Sequence, residues 1–284
     1  MLAFVTIVMA AVLAVTAPVH LGASPTYLTV LTPIFQWVPF ATIALLHVLL
    51  TRRDRHGSAV DHEKLCTLAR ASIRGHWRSI IHWCLLALGL LLATSTVPLV
   101  VAAALGFVQL RWVDGAGLAA LLTLPVALVF MLPVAGEELA WRGYITTLLS
   151  PAGFARTTMI ITAIWVTWHL PLMLALAYAG EMDTRDVLAK SVDLILASVL
   201  LSALRYLSDS VWPAVFAHAL FNNLFQMVQY NFMTPLRDAN AAHYWGYMAC
   251  SWAAWLAVDV LLVRLLMGHG RDHNHHDQQD YLPL

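Results

Sequence analysis

Residues Ile80–Val108 read IIHWCLLALGLLLATSTVPLVVAAALGFV, twenty-nine positions without Asp, Glu, Lys or Arg. A helix that crosses the hydrocarbon core of a bilayer needs about 20 mostly apolar residues. The whole chain is similarly poor in charge: 60% of its 284 residues are hydrophobic, 11% are charged, and the mean hydropathy is +0.73. Soluble domains carry about 25% charged residues. The sequence therefore predicts a protein whose solvent is lipid.

Eight apolar segments are long enough to be membrane spans. They predict an all-α fold, a polytopic bundle of about eight transmembrane helices that forms a single transmembrane domain over residues 1–284. The first segment has no basic residues before its apolar run, which favours a membrane helix over a signal peptide. The third is long enough to tilt or break near Pro98. The segments are Leu2–Ala17, Tyr27–Leu50, Ile80–Val108, Gly117–Ala135, Thr158–Ala179, Val187–Leu207, Val211–Tyr230 and Tyr244–Met267.

Basic residues are concentrated in the connection after the second segment, and loops rich in Lys and Arg stay in the cytoplasm. This predicts that the connection and both termini are cytoplasmic. The expected location is a bacterial plasma membrane. The connection contains Arg52, Arg53, Arg55, Lys64, Arg70, Arg74 and Arg78, whereas the opposite face receives only Arg111, Arg185, Lys190 and Arg237.

Other features of the composition exclude several classes of function. The formal net charge is zero, which gives no reason to expect a nucleic-acid partner. The three cysteines are scattered and predict neither a disulfide framework nor a cysteine metal site. Residues 268–284 are rich in histidine and could bind a transition metal, but a disordered tail is the simpler interpretation. The oligomeric state is left open.

Three of the predicted spans supply ionisable groups in paired form. Such groups are costly in a membrane and need a partner or a function. The motif GEELAWR (136–142) follows directly after the fourth, the fifth contains WVTWH (165–169), and the seventh contains HALFN (218–222). Residues four apart share a helix face, whereas adjacent residues are separated by about 100°. This spacing predicts an ion pair between Glu138 and Arg142 and leaves Glu137 facing elsewhere.

The same spacing places Trp165 beside His169 and His218 beside Asn222. A bundle can therefore bring one carboxylate, two imidazoles and one amide into a common pocket, a set that suits hydrolysis. Glu137 and a histidine can deprotonate water, or Glu137, His169 and His218 can hold a zinc ion that does so. The second histidine and the amide can stabilise an oxyanion. No serine or cysteine has a comparable setting, which argues against a covalent acyl-enzyme.

Each of these signals has a structural interpretation when taken alone. A Glu–Arg pair at a helix end is common, a histidine beside a tryptophan is often a packing residue, and His218 with Asn222 could join two helices. Their occurrence together on three spans favours a site. Two other intramembrane carboxylates stand apart from it. Asp259 could pair with Arg264, and Asp193 has no obvious partner in the sequence.

The ordered motifs Glu-Glu-x-x-x-Arg, aromatic-x-x-x-His and His-x-x-x-Asn resemble the CPBP family. Its members include type II CAAX prenyl endopeptidases and the bacteriocin-processing or immunity proteins called Abi. The resemblance covers a catalytic core at residues 133–229, and it departs from the family where Trp165 stands in place of the usual Phe.

The resemblance implies a role for each motif residue. Glu137 would be the catalytic carboxylate, His169 would act with it on water, and His218 and Asn222 would stabilise the oxyanion. Glu138 and Arg142 would support the first motif. The family is often described as metalloproteases, although a metal-free glutamate mechanism has also been argued, so a zinc cofactor stays open.

The leading hypothesis is an intramembrane endopeptidase that cleaves a membrane-associated protein or peptide in the cytoplasmic half of the bilayer. Two alternatives remain. One is a non-catalytic immunity or scaffold protein of the same fold. The other is a proton-coupled transporter that uses Glu137, His169 and His218 as a relay.

Overall fold

The computed structural model describes residues 1–53 and 62–279, which are almost entirely helical. A π-helical segment, Leu139–Ile145, and two short 3-10 turns, Ser150–Ala152 and Leu236–Asp238, lie among the α-helices. The α-helices are α1 Leu2–His20, α2 Thr26–Phe35, α3 Val38–Arg53, α4 His62–Leu68, α5 Trp77–Ala104, α6 Ala116–Glu138, α7 Thr146–Leu149, α8 Phe154–Tyr178, α9 Thr184–Ser208, α10 Trp212–Asn231 and α11 Ala241–Gln279.

The prediction of an all-α membrane bundle is confirmed. Within residues 1–53 and 62–279 there is no strand, only an isolated bridge between Leu110 and Met233. Six helical stretches in these ranges are long and apolar enough to cross a membrane, and the bent pair α2–α3 makes a seventh. Helix α5 continues through Pro98 without breaking. One continuous core of apolar side chains extends from Phe4 to Leu262.

Helix α10 corresponds to the seventh predicted segment, and it differs from the others. Its length suits a span, but His218, Asn222, Asn223 and other polar side chains make it less apolar than the helices that qualify on composition. It packs against α5, α6 and α9, and most of its first half is buried. Protein surrounds the first half of this helix, and there His218 contacts Glu138, a partner that lipid could not offer.

The outer surface of the bundle is apolar, as a lipid-facing surface must be. On α6 the side chains of Leu121, Val129 and Leu132 are 71–72% exposed. Such a continuous run of exposed apolar residues is unstable in water and stable in hydrocarbon. This finding supports an integral membrane protein.

The second predicted segment, Tyr27–Leu50, is broken into α2 and α3, with a bend of 40°. Pro39 has no N–H to donate to the carbonyl of Phe35, the residue at which α2 ends. The break brings the backbone of Gln36 and Trp37 against Gly136 of α6. A Cβ at Gly136 would lie 2.6 Å from the Gln36 carbonyl oxygen, so only glycine permits this approach.

The end of the bundle that carries the basic connection is tied together by the residues after α4. Arg70 forms an ion pair with Asp209 at 2.8 Å, and its carbonyl accepts a hydrogen bond from Val211 N–H. The indole N–H of Trp212 donates to the carbonyl of Ala71. Arg55 of the same connection lies outside the described residues. This end is called the basic end below.

The opposite end is formed by the turns after α1, α8 and α10. Arg185 donates to the carbonyls of Leu236, Arg237 and Ala239, and Arg237 donates to the carbonyl of Gly180. These bonds join the α8–α9 turn to the α10–α11 turn. We call this the turn end.

The structure does not contain the predicted pair between Asp259 and Arg264. Both Asp259 carboxylate oxygens are buried and accept no hydrogen bond from the described residues. Five helical residues separate the two side chains by about 140°, so they do not share a face. The tail prediction stays a prediction: α11 is described to Gln279, and residues 280–284 lie outside the described part.

Candidate active site

Glu137, at the end of α6, is held by hydrogen bonds to both carboxylate oxygens. Gln36 Nε2–H donates to Oε1 at 2.9 Å, and Trp165 Nε1–H donates to Oε2 at 2.9 Å. The side chain is only 1% exposed, yet it lines a cavity inside the bundle. Each carboxylate oxygen retains acceptor capacity beyond its single bond. Glu137 is therefore a fixed acceptor that faces the cavity.

His169 of α8 lines the same cavity, and its tautomer follows from its partner. Nδ1 lies 2.8 Å from the carbonyl oxygen of Trp165, one turn earlier in the helix. A carbonyl oxygen can only accept, so Nδ1 carries the hydrogen. In the neutral ring Nε2 then has a free lone pair, which makes this atom the basic one.

Glu138 points away from Glu137 and belongs to a buried ion pair. Its Oε1 accepts from Arg142 Nη1 at 3.0 Å and from His218 Nδ1 at 2.8 Å. Glu138 and Arg142 are both 0% exposed, which confirms the ion pair predicted from their spacing. Arg142 also donates to the hydroxyl of Ser198 on α9 at 3.0 Å. This pair joins α6, α9 and α10 behind the cavity.

Trp165 connects the two glutamate groups. Its indole N–H bonds Glu137, and the Cζ atom of Arg142 lies 4.3 Å from the centre of its ring, a cation–π contact. The edges of His169 and His218 meet the same ring at centroid distances of 5.1 and 5.4 Å. A phenylalanine in this place would lack the N–H donor, so the departure from the family motif adds a bond to the site.

The π-helical segment carries Arg142 and follows Glu138 directly. Such wide turns inside α-helices occur frequently at functional sites. The hydroxyl of Thr146 donates to the carbonyl of Trp141, five residues earlier. Gly143 in the same segment permits contact with Ala69, because a Cβ there would lie 2.8 Å from the Ala69 carbonyl.

A cavity of about 310 Å³ brings the four predicted catalytic residues together. Glu137, His169, His218 and Asn222 all line it, whereas Glu138, Arg142 and Trp165 lie behind its wall. The rest of the wall is mainly apolar. Its residues include Val12, Val15, Leu28, Leu31, Phe35, Leu172, Leu176, Phe221 and Phe225.

Six polar residues of the cavity were not assigned to it from the sequence, namely Thr16, Thr32, Gln36, Lys190, Asp193 and Gln226. Gln36 belongs to none of the three motifs. Only the packing of α2 against α6 brings it to Glu137. Lys190 and Asp193 of α9 line the cavity as well. Asp193 does have a partner: the indole N–H of Trp252 on α11 donates to its Oδ1 at 3.0 Å.

Zinc binding by Glu137, His169 and His218 stays a prediction. In the described parts of the chain, no three His, Cys, Asp or Glu side chains are arranged to hold a metal ion. Both oxygens of Glu137 already accept hydrogen bonds, and Nδ1 of each histidine is engaged as well. Nε2 of each histidine and a further lone pair on each Glu137 oxygen remain available to a ligand.

The cavity is elongated along the bundle. From His169 the walls extend along Leu172 and Leu176 towards the turn end, not towards the basic end. Glu137 and His218 lie near the ends of α6 and α10 that face the basic end. The predicted orientation and the predicted cleavage in the cytoplasmic half stay predictions.

The part of the chain that contains these residues matches a known protein family. Residues 118–224 match the family model described as type II CAAX prenyl endopeptidase Rce1-like. The match includes every predicted site residue from Glu137 to Asn222 and confirms the resemblance to the CPBP family. No curated protein matches the chain.

Proposed function

We propose that this chain is an intramembrane endopeptidase that hydrolyses a peptide bond with water activated by Glu137 and His169. The observation that carries the proposal is the cavity in which a fixed carboxylate and a histidine with a free Nε2 meet. The match to the Rce1-like family supports a peptidase of this type. The substrate class is a membrane-associated protein or peptide, because the site lies inside an apolar bundle.

In the proposed first step, a water molecule between Glu137 and His169 attacks the carbonyl carbon of the scissile bond. His169 Nε2 accepts a proton from the water while Glu137 accepts a hydrogen bond from it or shares the proton. The new oxygen–carbon bond gives a tetrahedral intermediate with an anionic oxygen. Because Trp165 and Gln36 hold Glu137 in place, little reorganisation precedes the attack.

His218 and Asn222 are placed to stabilise that oxyanion. Glu138 accepts the Nδ1 hydrogen of His218, which leaves Nε2 as the donor when the ring is protonated. The Asn222 amide lines the cavity and supplies a second donor. Transfer of the proton from His169 to the departing nitrogen then breaks the carbon–nitrogen bond and releases an amine and a carboxylic acid.

A covalent route has no support in the cavity wall. Its hydroxyl groups belong to Thr16 and Thr32, and no serine or cysteine of the described chain lines it. Neither threonine is adjacent to a base in the manner that activates a nucleophile. Direct attack by water is therefore the reaction that the site suits.

The test is cleavage of a peptide library by the purified protein in detergent, with products identified by mass spectrometry. Loss of a general base typically lowers turnover about 10²–10⁴-fold, so Glu137→Gln and His169→Ala should each abolish detectable cleavage while remaining folded. His169→Asn is the matched control for structure, since its amide can replace the Nδ1–H bond but offers no base. A scaffold or a transporter would cleave no peptide, and near wild-type rates in either variant would refute the assignment.

A further inference from the structure

We propose that Asn222 and Gln226 bind the backbone of the substrate, which lies in the cavity as an extended strand. Gln226 is then a substrate-binding residue of the site. The inference rests on the proposed function and narrows its substrate class. The bond that is cleaved lies in an unwound segment with apolar side chains, not in an intact transmembrane helix.

The polar side chains of α10 that face the cavity form a single stripe. His218, Asn222 and Gln226 follow one another at intervals of four residues, and all three line the cavity that contains Glu137 and His169. Residues four apart lie on the same face of a helix. The stripe therefore begins at a residue that we propose stabilises the oxyanion and continues for about 12 Å along the helix.

The two amides of this stripe make no hydrogen bond to the residues that the structure describes. The other two asparagines of α10 are bonded within the helix. Asn223 donates to the carbonyl of Ala219. Asn231 donates in the same way to the carbonyl of Met227. An amide without a partner is costly inside a membrane, so the amides that face the cavity are the ones available to a ligand.

An apolar stripe lies beside the amides on the same helix. Phe221 and Phe225 line the cavity, and their rings pack against Trp255 of α11 at centroid distances of 5.6 and 5.5 Å. Leu172 of α8 and Phe35 of α2 add apolar wall. These surfaces suit the side chains of a peptide but offer no partner to its backbone. On α10, the amides supply that partner.

A peptide bond that enters the cavity for hydrolysis must leave the helical conformation, which frees backbone N–H and C=O groups. Each such group is costly to leave unpaired in an apolar environment. A side-chain amide carries both a donor and an acceptor, so one Asn or Gln can pair with the N–H and the C=O of a substrate residue. The stripe therefore offsets the cost of unwinding the substrate.

The spacing of the two amides matches an extended backbone. In a strand, groups on the same side recur every two residues, or about 6.8 Å. Asn222 and Gln226 are separated by about 6.0 Å along the helix, and the longer side chain of Gln226 can cover the difference. With the scissile carbonyl beside His218 and Asn222, Gln226 meets the backbone two residues away. A helical substrate rises only about 3 Å over two residues and would not match.

The first experiment measures how the protein responds when a single backbone N–H is removed from a peptide that it cleaves. The peptide is resynthesised with one amide at a time replaced by an ester, which lacks the N–H donor. In the wild type, an ester two residues from the scissile bond should lower kcat/KM about three- to tenfold, because one hydrogen bond is lost. In Gln226→Met, which keeps the length of the side chain without its amide, the same ester should change kcat/KM less than about twofold.

The matched control is Asn223→Ala, because the Asn223 amide is bonded within α10 and this variant should keep the wild-type response to the ester. The melting temperature of Gln226→Met should be no lower than that of the wild type, since the amide makes no hydrogen bond to the described residues. An ester response that is equal in the wild type and Gln226→Met would overturn the proposal. Loss of the response in Asn223→Ala as well would overturn it too.

The second experiment needs no cleavage. Glu137→Gln protein is immobilised in detergent and incubated with a pooled library of short peptides, and separately with the same library N-methylated along its backbone. Retention measured by mass spectrometry should favour the unmethylated library at least about threefold. Adding Gln226→Met should lower that preference at least about twofold, whereas adding Asn223→Ala should not change it.

The absence of any preference, or a preference that Gln226→Met leaves unchanged, would contradict binding of the backbone by Gln226. A preference that depends on Gln226, in a protein whose wild type cleaves no peptide, would support the backbone contact and count against the proposed function alone.

Discussion

Gln36 contributes a hydrogen bond to the carboxylate that we propose activates water. Its amide donates to Glu137 Oε1 at 2.9 Å, and the side chain is 8% exposed. Gln36 is a positioning residue, because its effect on the reaction passes through Glu137. Trp165 supplies the matching bond to Oε2, so the carboxylate is held from two different helices.

We predict that Gln36→Ala lowers kcat about ten- to a hundredfold, since a hydrogen bond to a charged group contributes about 1.5–3 kcal/mol. KM should change little. Gln36→Asn should recover part of the rate only if its shorter amide reaches Oε1. The control is Asn223→Ala, whose amide bonds the carbonyl of Ala219 in its own helix. An equal loss in both variants would argue against a positioning role.

The spacing of residues in the sequence predicted only some of the contacts that distinguish Glu137 from Glu138. The four-residue interval predicted the Glu138–Arg142 pair, because that contact lies within one helix. It did not predict that His218 would share Glu138 Oε1, or that Gln36 would bind Glu137. Both contacts join separate helices, and helical periodicity contains no information about which neighbour a face will meet.

At the scale of elements, the break between α2 and α3 is what brings Gln36 to the site. The apolar run Tyr27–Leu50 looked like one continuous span, and the signal for the break was Pro39. Its missing N–H ends the hydrogen-bond ladder at Phe35. Gly136 provides the complementary surface, since α6 approaches the break too closely for any side chain there.

We expect Gly136→Ala to lower both the melting temperature and kcat. The added methyl would lie 2.6 Å from the Gln36 carbonyl and the Trp37 Cα, so α2 and α3 must move away from α6. Overpacking of this kind costs about 1–3 kcal/mol. Gly89→Ala in α5 is the matched control, because its added methyl would have no atom within 4 Å and alanine favours a helix. If both variants behave like the wild type, the close approach is not required.

Helix α10 shows why counting apolar segments gives only part of the architecture. Its length predicted a span like the others, but its polar residues require protein on most sides. Apolar composition identifies which segments enter the membrane. The choice of a central helix depends on packing between α5, α6 and α9, which the composition of one segment does not specify.

For the whole molecule, the sequence predicted the all-α class, most of the spans and four of the residues that line the cavity. The direction of that cavity was not predictable in the same way. It depends on how far along each helix the polar residues lie and on which end the connections close. The predicted orientation, the bacterial plasma membrane and the absence of a nucleic-acid partner stay predictions.

Metal dependence is a property of the whole protein, and the proposed activation of water by Glu137 and His169 makes a prediction about it. Overnight treatment with EDTA or 1,10-phenanthroline should leave the cleavage rate within about twofold of the untreated protein, because water activation needs only Glu137 and His169. The measurement is the initial rate before and after dialysis. A loss of activity that added Zn²⁺ restores would show that the site rearranges to bind metal.

The central claim is that Glu137 acts on water whereas Glu138 maintains the fold. Glu137→Gln can keep both bonds, because its oxygen can face Trp165 and the Gln36 amide can turn to accept from the new NH₂ group. Glu138→Gln and Arg142→Ala leave one member of a fully buried pair without its partner, a loss of about 3–5 kcal/mol.

The most direct measurement is a melting curve and a cleavage assay on Glu137→Gln, Glu138→Gln and Arg142→Ala in one detergent. The account predicts that Glu137→Gln is inactive with a melting temperature close to that of the wild type. The other two variants should melt at lower temperature and also lose activity. An unstable Glu137→Gln beside a stable but inactive Glu138→Gln would contradict the account and exchange the two roles.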